Sequence, residues 1–311
     1  MLLLVPIVAL VATLSPQQEC STGDPLEADS WHLDELRAPA AWCLERGGGS
    51  VLAVIDSGVS PVPDLPGLAS GWNVVSGNAQ TADSGWHGTV TAGVAAAFGG
   101  NGLGGAGVAP DATILPVRIT NAGGFIPGGA RRDGLIWAAD NGARVALLFA
   151  PGESHLGPAT RTGIDYFVQE TRGVVLVASG NQGLALAGQN LAGVVMVGGV
   201  DRDLERWPLS NYGRPLDLVA PAVDIWGTEP DGTFSQRDQT SSAMPAVAGV
   251  FALVFAKNPG IGTRRATTIV YSTARDLGPA GWDVEFGWGI PDARAAVEAT
   301  PPPVSELPGE H

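Results

Sequence analysis

The sequence predicts an α/β protein, a doubly wound, mostly parallel sheet with helices on both faces. Three observations carry that expectation. Short, continuously apolar and often β-branched runs recur along the chain, as in strands buried on both faces. Helix-length segments separate them, and this alternation goes with a parallel sheet. Hydrophobic residues make up 45% of the chain against 15% charged, enough for a sizeable core. The length, 311 residues, fits one large domain or two smaller ones. We expect a single catalytic-sized domain over 21–299, a leader and short tail over 1–20, and a Pro-rich tail over 300–311.

Taken in order, the strands are expected at Val51–Ile55, Thr113–Ile119, Val145–Phe149, Val174–Ala178 and Val194–Val200, with another at Leu216–Ala220. Helices are expected at Gly88–Ala97, Ala130–Asn141 and Thr160–Glu170, then near Thr263–Thr273 and Asp292–Ala299. From Ala243 to Ala256 the chain has no charge and is apolar all round, so this helix belongs inside the protein. Pro245 is expected in its first turn, where no intrahelical N–H partner is needed. The run Pro301-Pro302-Pro303 reads as an extended, mobile tail.

Leu2–Leu14 is apolar, too short to span a bilayer and suited to the core of a signal peptide, although the first Lys or Arg is Arg37. No later segment reads as a transmembrane span. The chain is therefore expected to be exported, secreted or periplasmic. Its two cysteines, Cys20 and Cys43, can pair in such a compartment, and two cysteines alone make no zinc site. Net charge is −14 and Lys257 is the only lysine, so there is no basic stripe for nucleic acid. Gly99–Gly107 holds six glycines and contains a Gly-x-Gly-x-x-Gly match. It follows a helix and precedes a strand, the reverse of what a dinucleotide site needs, so it reads as a loop. The Gly-x-Ser-x-Gly elbow of α/β-hydrolases does not occur.

Four separated motifs carry chemistry. Val51-Leu52-Ala53-Val54-Ile55-Asp56-Ser57-Gly58 ends a strand in an aspartate and a turn. Trp86-His87-Gly88-Thr89-Val90 sets a histidine at the mouth of a small-residue helix. Val177-Ala178-Ser179-Gly180-Asn181-Gln182-Gly183 closes a buried strand with an asparagine. Thr240-Ser241-Ser242-Ala243-Met244-Pro245 places a serine where a polar loop enters the buried helix. Singly, each has a structural explanation: a turn residue, a helix cap, a left-handed turn beside a glycine, an N-cap. Together, in the order Asp, His, Ser, they resemble the subtilisin-like serine proteases (subtilases) over roughly Trp31 to Ala299.

The resemblance implies peptide hydrolysis with Ser241 as nucleophile, His87 as general base and acid, Asp56 holding the imidazole, and the Asn181 amide with the Ser241 N–H receiving the oxyanion. It implies no cofactor for the chemistry, a protein or peptide substrate, and a chain acting as a monomer. It further implies a structural calcium held by Asp64 and Asn101 and completed by Glu27, oxygen ligands that suit that ion. Phe149, Ala150, Pro151 and Gly152 align with the edge that pairs with substrate backbone, where the family usually carries Ser-Leu-Gly-Gly. Gln239, Ala246 and Val90 also depart from the usual Gly, His and His. Two other functions stay open at this point. One is a catalytically impaired relative that serves as a binding or scaffold protein; the other is an esterase using the same triad.

Overall fold

The computed structural model describes residues 19–150 and 156–303. Two short helices, α1 (Trp31–Glu35) and α2 (Ala38–Trp42), lead into the sheet. Then follow β1 (Val51–Asp56), β2 (Trp72–Asn73), α3 (His87–Ala96), β3 (Thr113–Arg118), α4 (Ala130–Asp140), β4 (Val145–Leu148), α5 (Pro158–Thr171) and β5 (Val174–Ala178). The second half holds β6 (Ala185–Leu186), β7 (Val194–Val200), β8 (Tyr212–Gly213), β9 (Leu218–Pro221), β10 (Ile225–Thr228), β11 (Phe234–Arg237), α6 (Thr240–Lys257), α7 (Thr263–Ser272) and α8 (Ala293–Ala299).

Seven strands form one parallel sheet in the order β2-β3-β1-β4-β5-β7-β9. The apolar runs are the reason. Every residue of β4, β5 and β7 is buried, which a strand achieves only with layers on both faces. α4 and α5 pack together on one side, while α3 and α6 pack together on the other. The fold class expected from sequence is the one found. α6 is long and apolar enough to cross a membrane, but 83% of it is buried inside the protein.

Several boundaries move. α6 begins at Thr240, so Pro245 lies inside the helix and beyond its first turn. Proline has no N–H for the carbonyl of Ser241, which is therefore freed from the helical ladder. Trp72–Asn73 and the hairpin β10–β11 have no apolar run to announce them. The expected pairing of Cys20 with Cys43 is formed, and the Cys20 N–H donates to Pro39 O, so this end of the expected tail is tied to the domain. The start of the Pro-rich run is tied down rather than free, because Asn258 Nδ2 donates to Pro301 O. The proposed leader core, Leu2–Leu14, lies outside the described residues, as do Pro151 and Gly152.

His32, on α1, is 2% exposed, and neither ring nitrogen finds a hydrogen-bond partner among the described residues.

Candidate active site

Asp56 closes β1 at the carboxyl end of the sheet, where open parallel sheets leave their crevice. Its carboxylate is buried and fully directed. Oδ1 accepts the N–H of Ser57 at 2.6 Å, and Oδ2 meets His87 Nδ1 at 2.8 Å. His87 is the first residue of α3. Gly88 lets that helix come close enough, since a Cβ there would stand 2.0 Å from Gly58 O and 3.1 Å from the Asp56 Cβ. Bonded to Asp56 through Nδ1–H, the ring keeps Nε2 as its basic nitrogen.

Burial lowers the His87 pKa, but the charge of Asp56, the hydrogen bond to it and the charge of Asp83 together outweigh that and hold it above 6.5. Asp83 also accepts from Thr89 N–H at 2.8 Å and Thr89 Oγ1 at 2.7 Å, so it fixes the first turn of α3 as well as charging it.

Ser241 sits in the first turn of α6, after the extended residue Gln239. It is not the cap of this helix. Asn181 follows β5, and Gly180 before it adopts φ +104°, a backbone open to glycine. The Asn181 side chain is oriented by α6. Its Oδ1 accepts from Thr240 N–H at 2.9 Å and from Thr240 Oγ1 at 2.8 Å. Two donors on one amide atom identify it as the oxygen, which leaves Nδ2 as a free donor. Thr240 was not singled out in the sequence; its place beside Ser241 was the available signal.

His87, Asn181, Thr240 and Ser241 line one cavity of about 230 Å³, together with Phe149, Ala150, Gln239 and the apolar Leu148, Ala178 and Met244. Thus the four sequence-predicted catalytic residues converge: Asp56 lies behind His87, and the other three face the same space. The Phe149 ring rests on the imidazole with centroids 4.6 Å apart. Among the described residues Ser241 Oγ makes no hydrogen bond. Bonds of this kind commonly tighten only around substrate. Chemically, the arrangement offers a hydroxyl, an imidazole with its orienting carboxylate, and an amide on the wall of the same cavity.

The expected calcium ligands do not form a set. Asp64 is 1% exposed and both its oxygens are used, Oδ1 by Asn101 Nδ2 at 3.1 Å and Oδ2 by Thr228 Oγ1 at 2.6 Å. Asn101 Oδ1 accepts from Leu103 N–H, so the nitrogen is the atom that faces Asp64, and nitrogen of an amide is no calcium ligand. Glu27 is spent on the Thr22–Gly23 turn. Among the described residues no group of three or more His, Cys, Asp or Glu could hold a metal.

Comparisons with known proteins give the family. Residues 47–289 match the model of the subtilase family. Subtilisin Savinase from Lederbergia lenta is 36% identical over 273 residues, covering 86% of this chain and 98% of that one. M-protease from Shouchella clausii (strain KSM-K16) is 36% identical over 86% of this chain and 69% of its own length. Among solved structures, a protease from Pseudoalteromonas arctica PAMC 21717 superposes with a TM-score of 0.79 at 29% identity, covering 89% of this chain and 99% of that one. The chain belongs to the subtilase family. It is a serine-type endopeptidase, which acts on protein or peptide substrates and needs no cofactor for the hydrolysis.

Proposed function

We propose that this is an exported endopeptidase whose triad is Asp56, His87 and Ser241, with Asn181 Nδ2 and the Ser241 N–H receiving the oxyanion. One observation supports the reading: Thr240 holds the Oδ1 of Asn181, so the amide nitrogen is the atom left over on a residue that lines the cavity shared by Ser241 and His87. Ser241 Oγ attacks the carbonyl carbon, and His87 Nε2 takes its proton and returns it to the leaving amine. Asp56 stabilises the imidazolium that forms in between. The N-terminal apolar run and the Cys20–Cys43 disulfide support export, since disulfides persist in oxidising compartments. A fluorophosphonate should label the protein once, and Ser241→Ala should abolish the label. Labelling that persists in the variant overturns the assignment.

The Phe149 ring against His87 supports a narrow cleft: weak cleavage of generic peptides and a preference for small residues beside the scissile bond. The aligned Pro151 has no N–H to offer an added strand, a loss worth about 1 kcal/mol. Phe149→Ser/Pro151→Gly should raise turnover of a mixed peptide library and admit larger residues; no gain in either sinks this part. The same ring is the observation that favours a binding protein with weak catalysis. Ester turnover without peptide turnover, or neither with Ser241 still unlabelled, would select the other readings.

A further inference from the structure

We propose that Arg131 makes this enzyme select substrates with an acidic side chain on the acyl side of the scissile bond. The inference rests on reading the cavity as a protease cleft, and it concerns a side chain outside the triad.

Read as a protease cleft, the cavity places substrate beyond the end of β1, which lies between β3 and β4 and whose last residues, Asp56 and Ile55, pair with Arg118 and Leu148 at the ends of those strands. Ile119 N–H donates to Asp56 O on one side, and Phe149 N–H donates to Ile55 O on the other. In a strand, the N–H and C=O of one residue face the same neighbour. The Phe149 carbonyl therefore faces the line of β1 beyond its end, beside the cavity that Phe149 lines with His87 and Ser241. An extended peptide entering there as an added strand meets this carbonyl first.

That carbonyl already has a partner. Arg131, in the first turn of α4, donates its Nε–H to Phe149 O at 2.8 Å. A guanidinium carries about five N–H donors, so the rest of the fork is left over. Among the described residues no carboxylate pairs with it, in contrast to the neighbouring Arg132, which is bound to Asp133. Arg131 is half-buried, and burial lowers its pKa from the ordinary arginine value. Among the described residues the side chain is thus a partly desolvated cation without a counter-ion, held by its Nε on the carbonyl of a residue that lines the cavity.

A carboxylate from the substrate completes the fork with a charge-assisted, bidentate pair. A neutral side chain leaves the cation unpaired as the slot closes, and a lysine or arginine is repelled. Reversing the sign of residue 131 should reverse the preference.

The test uses quenched peptides in which Glu, Gln or Lys is walked through the residues preceding one scissile bond. Wild type should favour Glu over Gln by about tenfold or more in kcat/KM at one of these positions, as charge pairs at closed interfaces do. Arg131→Leu should bring that ratio near one whatever its absolute rates, and Arg131→Glu should favour Lys. A flat wild-type profile, or a Glu preference that survives in Arg131→Leu, overturns the proposal. Binding of the same peptides to Ser241→Ala, followed by fluorescence anisotropy, reads the preference without turnover. A protein that binds Glu peptides more tightly but hydrolyses none would overturn the protease reading and leave the role of Arg131 standing.

Discussion

Asp56 ends β1 and Asp64 lies in the loop after it, and each is 1% exposed, yet they do different work. Asp56 points at an imidazole that faces a cavity. Asp64 points at a hydroxyl and an amide, and so ties the loop before β1's helix neighbours to the glycine loop and to β10. Its pKa is raised chiefly by burial, with the hydrogen bonds of Thr228 and Asn101 opposing and the charge of Asp24 adding. Burial alone therefore does not make a carboxylate catalytic. The partner decides: a titratable ring passes the carboxylate's field to a reacting proton, whereas neutral donors absorb it in the scaffold.

The same substitution at both positions is the sharpest way to break this contrast. Asp56→Asn keeps the shape but favours the wrong imidazole tautomer, and kcat should fall by about 10⁴ with the melting temperature little changed. Peptide turnover beside thermal unfolding checks this; turnover close to wild type would remove Asp56 from the triad.

Next in size is the Cys20–Cys43 disulfide, which anchors the segment leading to Asp24 on the Asp64 side. With its ends 23 positions apart in sequence, its loss in Cys20→Ser/Cys43→Ser should cost about 3 kcal/mol by urea unfolding. The folded fraction should still label at Ser241 at the wild-type rate. A slowed label would mean that the two aspartates are not independent.

A third test concerns pH. His87 acts as a base only when neutral, so kcat/KM should rise with pH along a limb centred above 6.5. Asp83→Asn removes one of the charges holding that pKa up and should move the limb towards acid. Stability runs the other way. A raised histidine pKa contributes fully below the unfolded value and is lost as pH rises through the folded one. A limb that stays in place in Asp83→Asn would exclude the long-range charge.

The smallest effect belongs to Asp64→Asn. Turnover should stay within about twofold and stability within about 1 kcal/mol, since an amide can still accept from one donor. Because the Asp64 pKa is raised on folding, wild type should lose stability as pH rises from 3.8 through the folded value, and the variant should lack that slope.

Much of this was legible in the sequence, for physical reasons. Val174–Ala178 and Val194–Val200 are apolar at every position, which leaves a doubly covered strand as the simple solution, and both fall where expected. The four catalytic candidates sit at strand ends and helix mouths, and these places are read from local pattern. What was missed depends on contacts between distant residues. The Thr240 hydroxyl that turns Asn181, the Arg131 fork on Phe149 O and the occupied oxygens of Asp64 link positions with no shared period. α6 starts ahead of the turn that Pro245 suggests, because the polar residues Thr240 and Ser241 already belong to the helix and carry no apolar signal.

The buried imidazole of His32 sets a limit on where this protein can work. With no partner for either nitrogen among the described residues, burial lowers its pKa to about 4, against 6.5 when exposed. Between those values the unfolded chain takes up a proton that the folded one refuses. Stability therefore drains away as pH falls through that window, by up to about 3 kcal/mol. His32→Leu should flatten the acid side of the unfolding profile; an unchanged profile would clear this residue. In acidifying surroundings the protein thus carries an acid fuse on its first helix, one that acts on the fold at pH values where the histidine of the active site is already protonated and silent.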